Sequence, residues 1–425
     1  MDSVVDSPTQ GKTLAGVLAL VILLVGFGDG LAFGLQRQWA LASPWVVLFP
    51  LLGLALLLYL ATPGRPPHGR DAIQAAALVW LFAIGLVIQV VLLQGKMNVA
   101  GYLQLAAFVV ALTVIRSTFA RGHSRLPVLI GPAVLVAHAF MCSYLAIAWV
   151  VWQVTGIDLS VIALTAGRDI GAYYGYRPAG WSLEPAWASM AVSVSFIGVY
   201  YLAPRARIFA MVAMVIAALA LQAATLLLFV ALVGVIVVAR RQPRLLLVAA
   251  PVIVAVLVLP GPFTPRIEAI ATGTDPSTQM RIASAGVATD VIVGSFPIGV
   301  GYGNFRDVAI YGSEWSRYLD LTVATFYKSD LLILNYVAEL GAAGLLVVAL
   351  VFTVLGFGRL LLPTVFLGMQ ALLSGTILVP ALLVLAAVVG AIDRRTATEV
   401  NPGSPEVPPR RFGPRAGRIP NPLPR

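Results

Sequence analysis

Apolar residues fall along this chain in long unbroken blocks, at about 13–35, 39–61, 72–94, 99–115, 128–152, 186–203, 208–238, 245–261, 329–356 and 361–391. Runs of roughly 18 or more apolar residues read as membrane-spanning helices, because a helix satisfies its own backbone inside lipid. Two blocks exceed the ~20 residues that one untilted span needs. The 208–238 block is expected to break near Gln222, Ala223, Ala224 and Thr225, and the 361–391 block near Ser374, Gly375 and Thr376. That makes about twelve spans, with both termini on one side. The first block follows Lys12 and lacks an evident small-x-small cleavage site, so it reads as an uncleaved first span.

Composition agrees with the blocks. Of the 425 residues, 60% are hydrophobic and only 11% charged. Soluble domains carry roughly 25% charged residues, which excludes an ordinary soluble enzyme. The single cysteine, Cys142, lies inside a block; a disulfide framework and a thiolate metal site are both ruled out.

The net charge of +10 matters through its distribution. With a cytoplasmic N-terminus, Arg65, Arg70, Arg116, Arg121, Arg125, Arg205, Arg207, Arg240, Arg241, Arg244, Arg359, Arg394 and Arg395 all fall inside, while the short outer loops hold Arg37 and Lys96. One parity therefore satisfies the positive-inside rule. The expected organisation is an integral membrane domain over 1–392 and a disordered cytoplasmic tail, rich in Pro and Arg, over 393–425. Nothing in this distribution points to nucleic acid.

Two segments interrupt the pattern, at about 153–185 and 262–328, and the parity puts both outside. Long loops in compact proteins are often functional. Before the 186–203 block, YRPAGWSLEPAWASM sets Arg177 and Glu184 around Gly180 and Trp181. Pro185 suits the first turn of a helix, whose positive end favours an ionised Glu184. Arg177 can grip an anion there, with Glu184 orienting it; an Arg–Glu surface pair beside an aromatic belt is the plainer alternative. The stretch TQMRIASAGVATDVIVGS (278–295) reads as a helix at the membrane surface, with Met280, Ile282, Val287 and Val291 as its apolar stripe. Arg281, Ser284 and Ala288 share a small, polar face. Arg281 either meets a lipid phosphate as a bidentate donor or snorkels to headgroups.

The stretch PIGVGYGN packs Gly299, Gly301 and Gly303 into five positions. A dinucleotide loop needs a preceding strand, a helix starting within it and a soluble βαβ unit. Here Pro297 precedes the glycines and the setting is an external loop, so the dinucleotide reading is rejected. Finally, KSDLLILNYVAELGAAGLL (328–346) sets Asp330, Asn335 and Glu339 near one face of a span. Ionisable groups in spans are costly and usually functional, although Glu339 could instead partner a buried arginine. Gly341 and Gly344 suit close helix packing. Asp29 and His138 are polar residues within spans, as fit to hydrogen-bond a neighbouring helix as to carry chemistry.

The order R-x-x-G-W-S-L-E-P, an Arg-bearing external helix, P-I-G-V-G-Y-G-N-F, then L-x-x-L-N-Y-V-A-E-L-G-A-A-G-L-L resembles the bacterial O-antigen ligase and polymerase superfamily. The motifs cover roughly 170–350; span count and loop sizes extend the likeness to the whole chain. The resemblance implies an all-α polytopic membrane protein of the GT-C-like glycosyltransferase type, with about twelve transmembrane helices and two long external loops. It implies glycosyl transfer outside the inner membrane, with oligosaccharides on undecaprenyl pyrophosphate as donor and acceptor, and neither metal nor cofactor. Family arginines that hold the pyrophosphate map onto Arg177 and Arg281, with Arg306 a further candidate. Asp330 and Glu184 are candidates for the general base; Asn335, Glu339, Gly299, Gly301 and Gly303 are supporting residues. Partners implied are membrane lipids and the flippase and chain-length or export proteins of the same pathway.

Ligases of the superfamily usually open the late span with a histidine in an H-N-x-x-L pattern, and Asp330 stands at that position here. A Ser-Arg pair expected at the 208–238 break is replaced by Gln222 and Thr225. These departures favour a repeat-unit polymerase of an exopolysaccharide or O-antigen pathway, as in xanthan-type systems. Transfer of a finished glycan to lipid A or protein is the runner-up. A transporter or flippase is the rival of another class, for which internal repeats around a midmembrane site are expected.

Overall fold

The computed structural model describes residues 8–27, 80, 82–85, 87, 90–91, 98–121, 126–159, 178, 181–182, 185–241, 268, 271–274, 276–305, 331–373 and 381–400. Their regular structure is helical, with no strand among the described residues. The helices are α1 (Pro8–Gly26), α2 (Val99–Arg121), α3 (Leu126–Thr155), α4 (Pro185–Leu202), α5 (Arg207–Leu221), α6 (Ala224–Arg241), α7 (Pro276–Ser295), α8 (Leu332–Leu340), α9 (Ala342–Val354), α10 (Leu361–Leu373) and α11 (Ala381–Val400). Among the described residues, four stretches are long and apolar enough to cross a membrane: Val99–Ala120, Leu129–Thr155, Pro185–Leu202 and Pro204–Leu221.

Two helices form the middle of the bundle. Every residue of α4 from Ala188 to Val199 is buried, as is α11 from Ala381 to Ile392. A helix that is apolar all round has no solvated face to keep, so it goes to the centre. Small residues let its neighbours approach. A methyl added at Gly198 would lie 2.7 Å from Val134 of α3 and 3.1 Å from Val388 of α11, and one at Gly390 would collide with the Arg116 carbonyl of α2. Close backbone approach of this kind holds apolar helices together where burial from water contributes little. The outer helices are buried on one stripe only. In α2 the stripe is Tyr102, Leu105, Phe108, Val109 and Leu112, while Leu103 and Val110 point outward.

His138 and Cys142 have structural surroundings. The His138 ring meets the Ser195 hydroxyl of α4 at 2.8 Å through Nδ1 and the Ala210 carbonyl of α5 at 3.0 Å through Nε2. It ties three helices together. Cys142 is buried one turn further along α3.

The helix ends sort into two groups. At one end, Asp393 of α11 accepts from Arg116 of α2 at 3.1 Å and pairs with Arg359, in the turn after α9, at 2.5 Å. There too, Arg395 donates to the Tyr201 carbonyl at 3.1 Å, and Arg207 donates through Nε to the Tyr200 carbonyl at 2.6 Å. The last turns of α2, α4 and α11 thus meet, and all three run in one direction. Their first turns mark the opposite end, where Gly26 of α1 lies against Val384. This sorting agrees with the single parity of the charge pattern.

Three boundaries deserve comparison with the apolar blocks. The expected break in 208–238 falls at Gln222, which adopts φ 47° and ψ 35° and closes α5 by donating its amide to the Ala218 carbonyl. The 329–356 block, by contrast, is not one helix; it breaks at Gly341 into α8 and α9. And α11 continues to Val400, beyond the boundary expected at 392, with Asp393 anchoring its last turns.

Candidate functional site

The glycine stretch forms a compact loop at the end opposite the arginines. Gly299, Gly301 and Gly303 have φ values of 83°, 95° and 82°, which side chains with a Cβ rarely adopt. These turns bring the loop onto the break between α8 and α9. Val300 N–H donates to the Ala338 carbonyl and Gly301 N–H to the Glu339 carbonyl, both at 2.9 Å. In return, Ala342 N–H donates to the Pro297 carbonyl at 2.9 Å. Orphan carbonyls at the end of α8 and an orphan amide at the start of α9 are both satisfied by this one loop.

Glycine is required on both sides of the seam. A Cβ at Gly299 would lie 2.6 Å from the Glu339 carbonyl oxygen and from the Gly341 nitrogen. At Gly341, with φ 61° and ψ −137°, a Cβ would run into the Pro297 carbonyl. That backbone region is essentially restricted to glycine. Gly344 packs as closely on the Tyr336 carbonyl. The close-approach role expected for Gly341 and Gly344 therefore holds, but Gly341 achieves it by ending a helix.

The loop is held from two further directions. Asn98, just before α2, donates its amide to the Tyr302 carbonyl at 2.8 Å, and its side chain caps α2 by accepting from Gly101 N–H at 2.8 Å. Gly303 faces the Asn98 Cβ, where an added methyl would sit at 2.7 Å. Asn304 closes the turn by donating through Nδ2 to the Val300 carbonyl at 3.1 Å. Phe305 is then fully buried between α7 and α8, among Ala283, Val287, Ala288, Val291 and Ala338.

Under the loop lies a buried polar row. Asn335 and Glu339, one turn apart on α8, are each only 4% exposed. Tyr336 is buried beside them, and Tyr302 descends from the loop to join the group through a hydrogen bond to Tyr336. Burial first, then the nearby Tyr336 and Glu339 charges and that hydrogen bond, pushes the Tyr302 hydroxyl well above the usual tyrosine range. It is a proton-holding hydrogen-bond partner, not a base. Tyr102 packs edge-on against Tyr302 at 6.0 Å.

Arg281 sits near the start of α7, half-buried, on the same stripe as Ser284 and Ala288. That stripe faces inward: Ser284 and Ala288 are fully buried, whereas Ile282 is 61% exposed. The expected apolar stripe therefore divides: Val287 and Val291 are buried on this inward side, while Ile282 points out. Residues 282, 289, 293 and 296 point out instead, because α7 buries its small residues against α8, where backbones must come close. Arg281 makes no ion pair among the described residues, and stands at the edge of the α7–α8 contact.

The R-x-x-G-W-S-L-E-P stretch is described at Pro178, Trp181, Ser182 and Pro185. Trp181 packs against Phe27, Phe140 and Tyr144 with ring centres 6.4, 5.3 and 6.0 Å away, and the Ser182 hydroxyl donates to the Phe27 carbonyl at 3.3 Å. This stretch is therefore anchored at the same end as the glycine loop. Arg177, Glu184, Arg306 and Asp330 lie outside the described residues. Among the described residues no group of three or more His, Cys, Asp or Glu could hold a metal.

Sequence reasoning missed Tyr302, Tyr336 and Asn98 as members of this assembly. A signal existed for the tyrosines, since each interrupts a glycine-rich or apolar motif with a hydroxyl. For Asn98 the signal is its position just before α2, where asparagine is a favoured N-cap. The arrangement also argues against a dinucleotide at this glycine loop. The amides of Val300 and Gly301 already point at carbonyls, and they do so at the negative end of a helix, where a phosphate is disfavoured.

Compared with known proteins, the chain matches no family model and no curated protein.

Proposed function

We propose that this protein is a polysaccharide repeat-unit polymerase of a bacterial inner membrane, extending glycans on undecaprenyl pyrophosphate at its periplasmic face. The observation that carries the reading is the seam between 297–304 and 338–342. Two of the four motif blocks on which the superfamily resemblance rests are bonded to each other through Val300, Gly301 and Ala342. In the proposed topology the described helices belong to a bundle of about twelve spans, with the arginine end cytoplasmic and the loop end outside.

The reaction follows from the charges available. An acceptor sugar hydroxyl attacks the anomeric carbon of the donor glycan. A C–O bond forms there, the C–O bond to pyrophosphate breaks, and the electron pair leaves with the lipid pyrophosphate. Arg281, with Arg177 and Arg306, holds the departing phosphates, since preorganised cations where charge develops contribute most to such a step. The hydroxyl proton passes to a carboxylate, for which Asp330 and Glu184 are the candidates. Glu339, Asn335 and Tyr336 stiffen the span beneath. No histidine is needed in this scheme, whereas ligases of the superfamily usually use one.

Deleting the gene should accumulate lipid-linked single repeat units. Full-length glycan left unattached would instead indicate a ligase, and repeat units trapped on the cytoplasmic face a transporter. Arg281→Ala and Arg177→Ala should each abolish polymer at normal protein levels. Wild-type polymer from either variant removes that arginine from the mechanism.

A further inference from the structure

The arginine end contains a cavity that the proposed reaction does not use. It measures about 230 Å³ and is lined by Tyr201, Pro204, Arg207, Ile392, Arg395 and Thr396. Sites that enclose a drug-sized molecule start at roughly 300 Å³, so this one suits a single small headgroup, not a glycan.

Both arginines are aimed by backbone carbonyls. Arg207 is half-buried; its Nε is held on the Tyr200 carbonyl and its guanidinium lies 4.6 Å from the centre of the Tyr200 ring. Its two terminal nitrogens make no other hydrogen bond among the described residues, and guanidinium donors match phosphate oxygens in pairs. Arg395 reaches across from α11, with one terminal nitrogen on the Tyr201 carbonyl. Asp393, two residues before Arg395, is already bracketed by Arg116 and Arg359. The charged side chains of the lining, Arg207 and Arg395, are both basic.

We propose that this cavity binds the phosphate of an anionic lipid headgroup. A lipid fits better than free phosphate because Arg207 is followed directly by Ile208 and Phe209, 79% and 58% exposed on the outer face of α5. An acyl chain can lie along them while its phosphate meets Arg207 and Arg395, and Ile392 and Pro204 supply the apolar rim. Basic pockets between helix ends on the cytoplasmic side hold headgroups by this combination.

The test uses the full chain in detergent and native mass spectrometry, titrating phosphatidylglycerol, phosphatidylcholine of the same acyl chains, and inorganic phosphate. The wild type should retain phosphatidylglycerol in preference to phosphatidylcholine, and Arg395→Gln should weaken it about fivefold, the worth of one basic residue near a headgroup. Thr396→Trp should remove the preference by filling the cavity without changing the charge. Both variants should unfold at the wild-type temperature in phosphatidylcholine, since positions 395 and 396 are exposed. Equal retention of the two lipids by the wild type, or a preference that survives Thr396→Trp, overturns the proposal. So does Arg395-dependent binding of inorganic phosphate with no preference for phosphatidylglycerol, which would assign the cavity to a soluble anion.

Discussion

The two ends of this bundle are assembled by opposite means. At the arginine end, side chains reach out to charges and carbonyls: Arg116 and Arg359 to Asp393, Arg207 to Tyr200, Arg395 to Tyr201. At the loop end, backbone meets backbone, and the residues that matter are those with the least side chain, Gly299, Gly341 and Gly344. The first kind of junction tolerates change, because a long side chain can move and water can replace a partner. The second does not. A methyl group at the seam has nowhere to go, and the amides it displaces are left unpaired in a buried place.

The largest contrast should come from glycine. Gly341→Ala forces both a forbidden backbone region and a collision with the Pro297 carbonyl, at a cost of about 3 kcal/mol or more. In thermal unfolding of the detergent-purified protein it should lower the midpoint sharply. Gly294→Ala is the matched control: it lies in α7 with nothing within 4 Å of the added methyl, and should leave the midpoint level or slightly raised. Equal effects at the two positions would mean that the seam does not exist.

Alkali offers a smaller lever on the same end. The folded protein keeps the Tyr302 proton where the unfolded chain gives it up, because its hydroxyl is pushed above the ordinary value near 10. Stability from this group is whole below about pH 10 and falls as the pH rises past it, by up to about 1.4 kcal/mol per unit. Tyr302→Phe should flatten that alkaline slope relative to the wild type. An unchanged slope would place Tyr302 outside the buried row.

The arginine end should respond least. Asp393→Asn removes an acceptor whose side chain is 20% exposed and whose partners are 22% and 48% exposed. Partly solvated pairs of this kind contribute about 1 kcal/mol. A midpoint shift as large as that of Gly341→Ala would reverse the comparison between the two ends.

These differences also explain what was legible in the sequence. Apolar blocks locate most of the helices, since span length is set by hydrophobicity, and the arginines sort by parity because each carries its charge visibly. Even the break at Gln222 is marked, by two polar residues in an apolar run. The break at Gly341 is not, because apolar residues continue on both sides and the cause lies some forty positions upstream, in the Pro297 carbonyl. The apolar stripe of α7 divides for a related reason. Hydrophobicity groups Ile282 with Val287 and Val291, whereas the face pressed against α8 takes Ala283, Ser284 and Ala288 beside those valines and leaves Ile282 out. Asn335 and Glu339 were found as candidate residues, yet their companions Tyr302 and Tyr336 come from separate segments joined only by the fold.

The relation between the two ends can be tested in one measurement. Cysteines introduced at exposed Thr289, on α7 beside the loop, and at exposed Arg205, at the arginine end, can be challenged with a membrane-impermeant thiol reagent in intact spheroplasts; native Cys142 is buried. Thr289→Cys should label at once and Arg205→Cys only after the membrane is opened. Labelling of both from outside, or of Arg205→Cys alone, would contradict a loop end that faces the periplasm and the chemistry proposed for it.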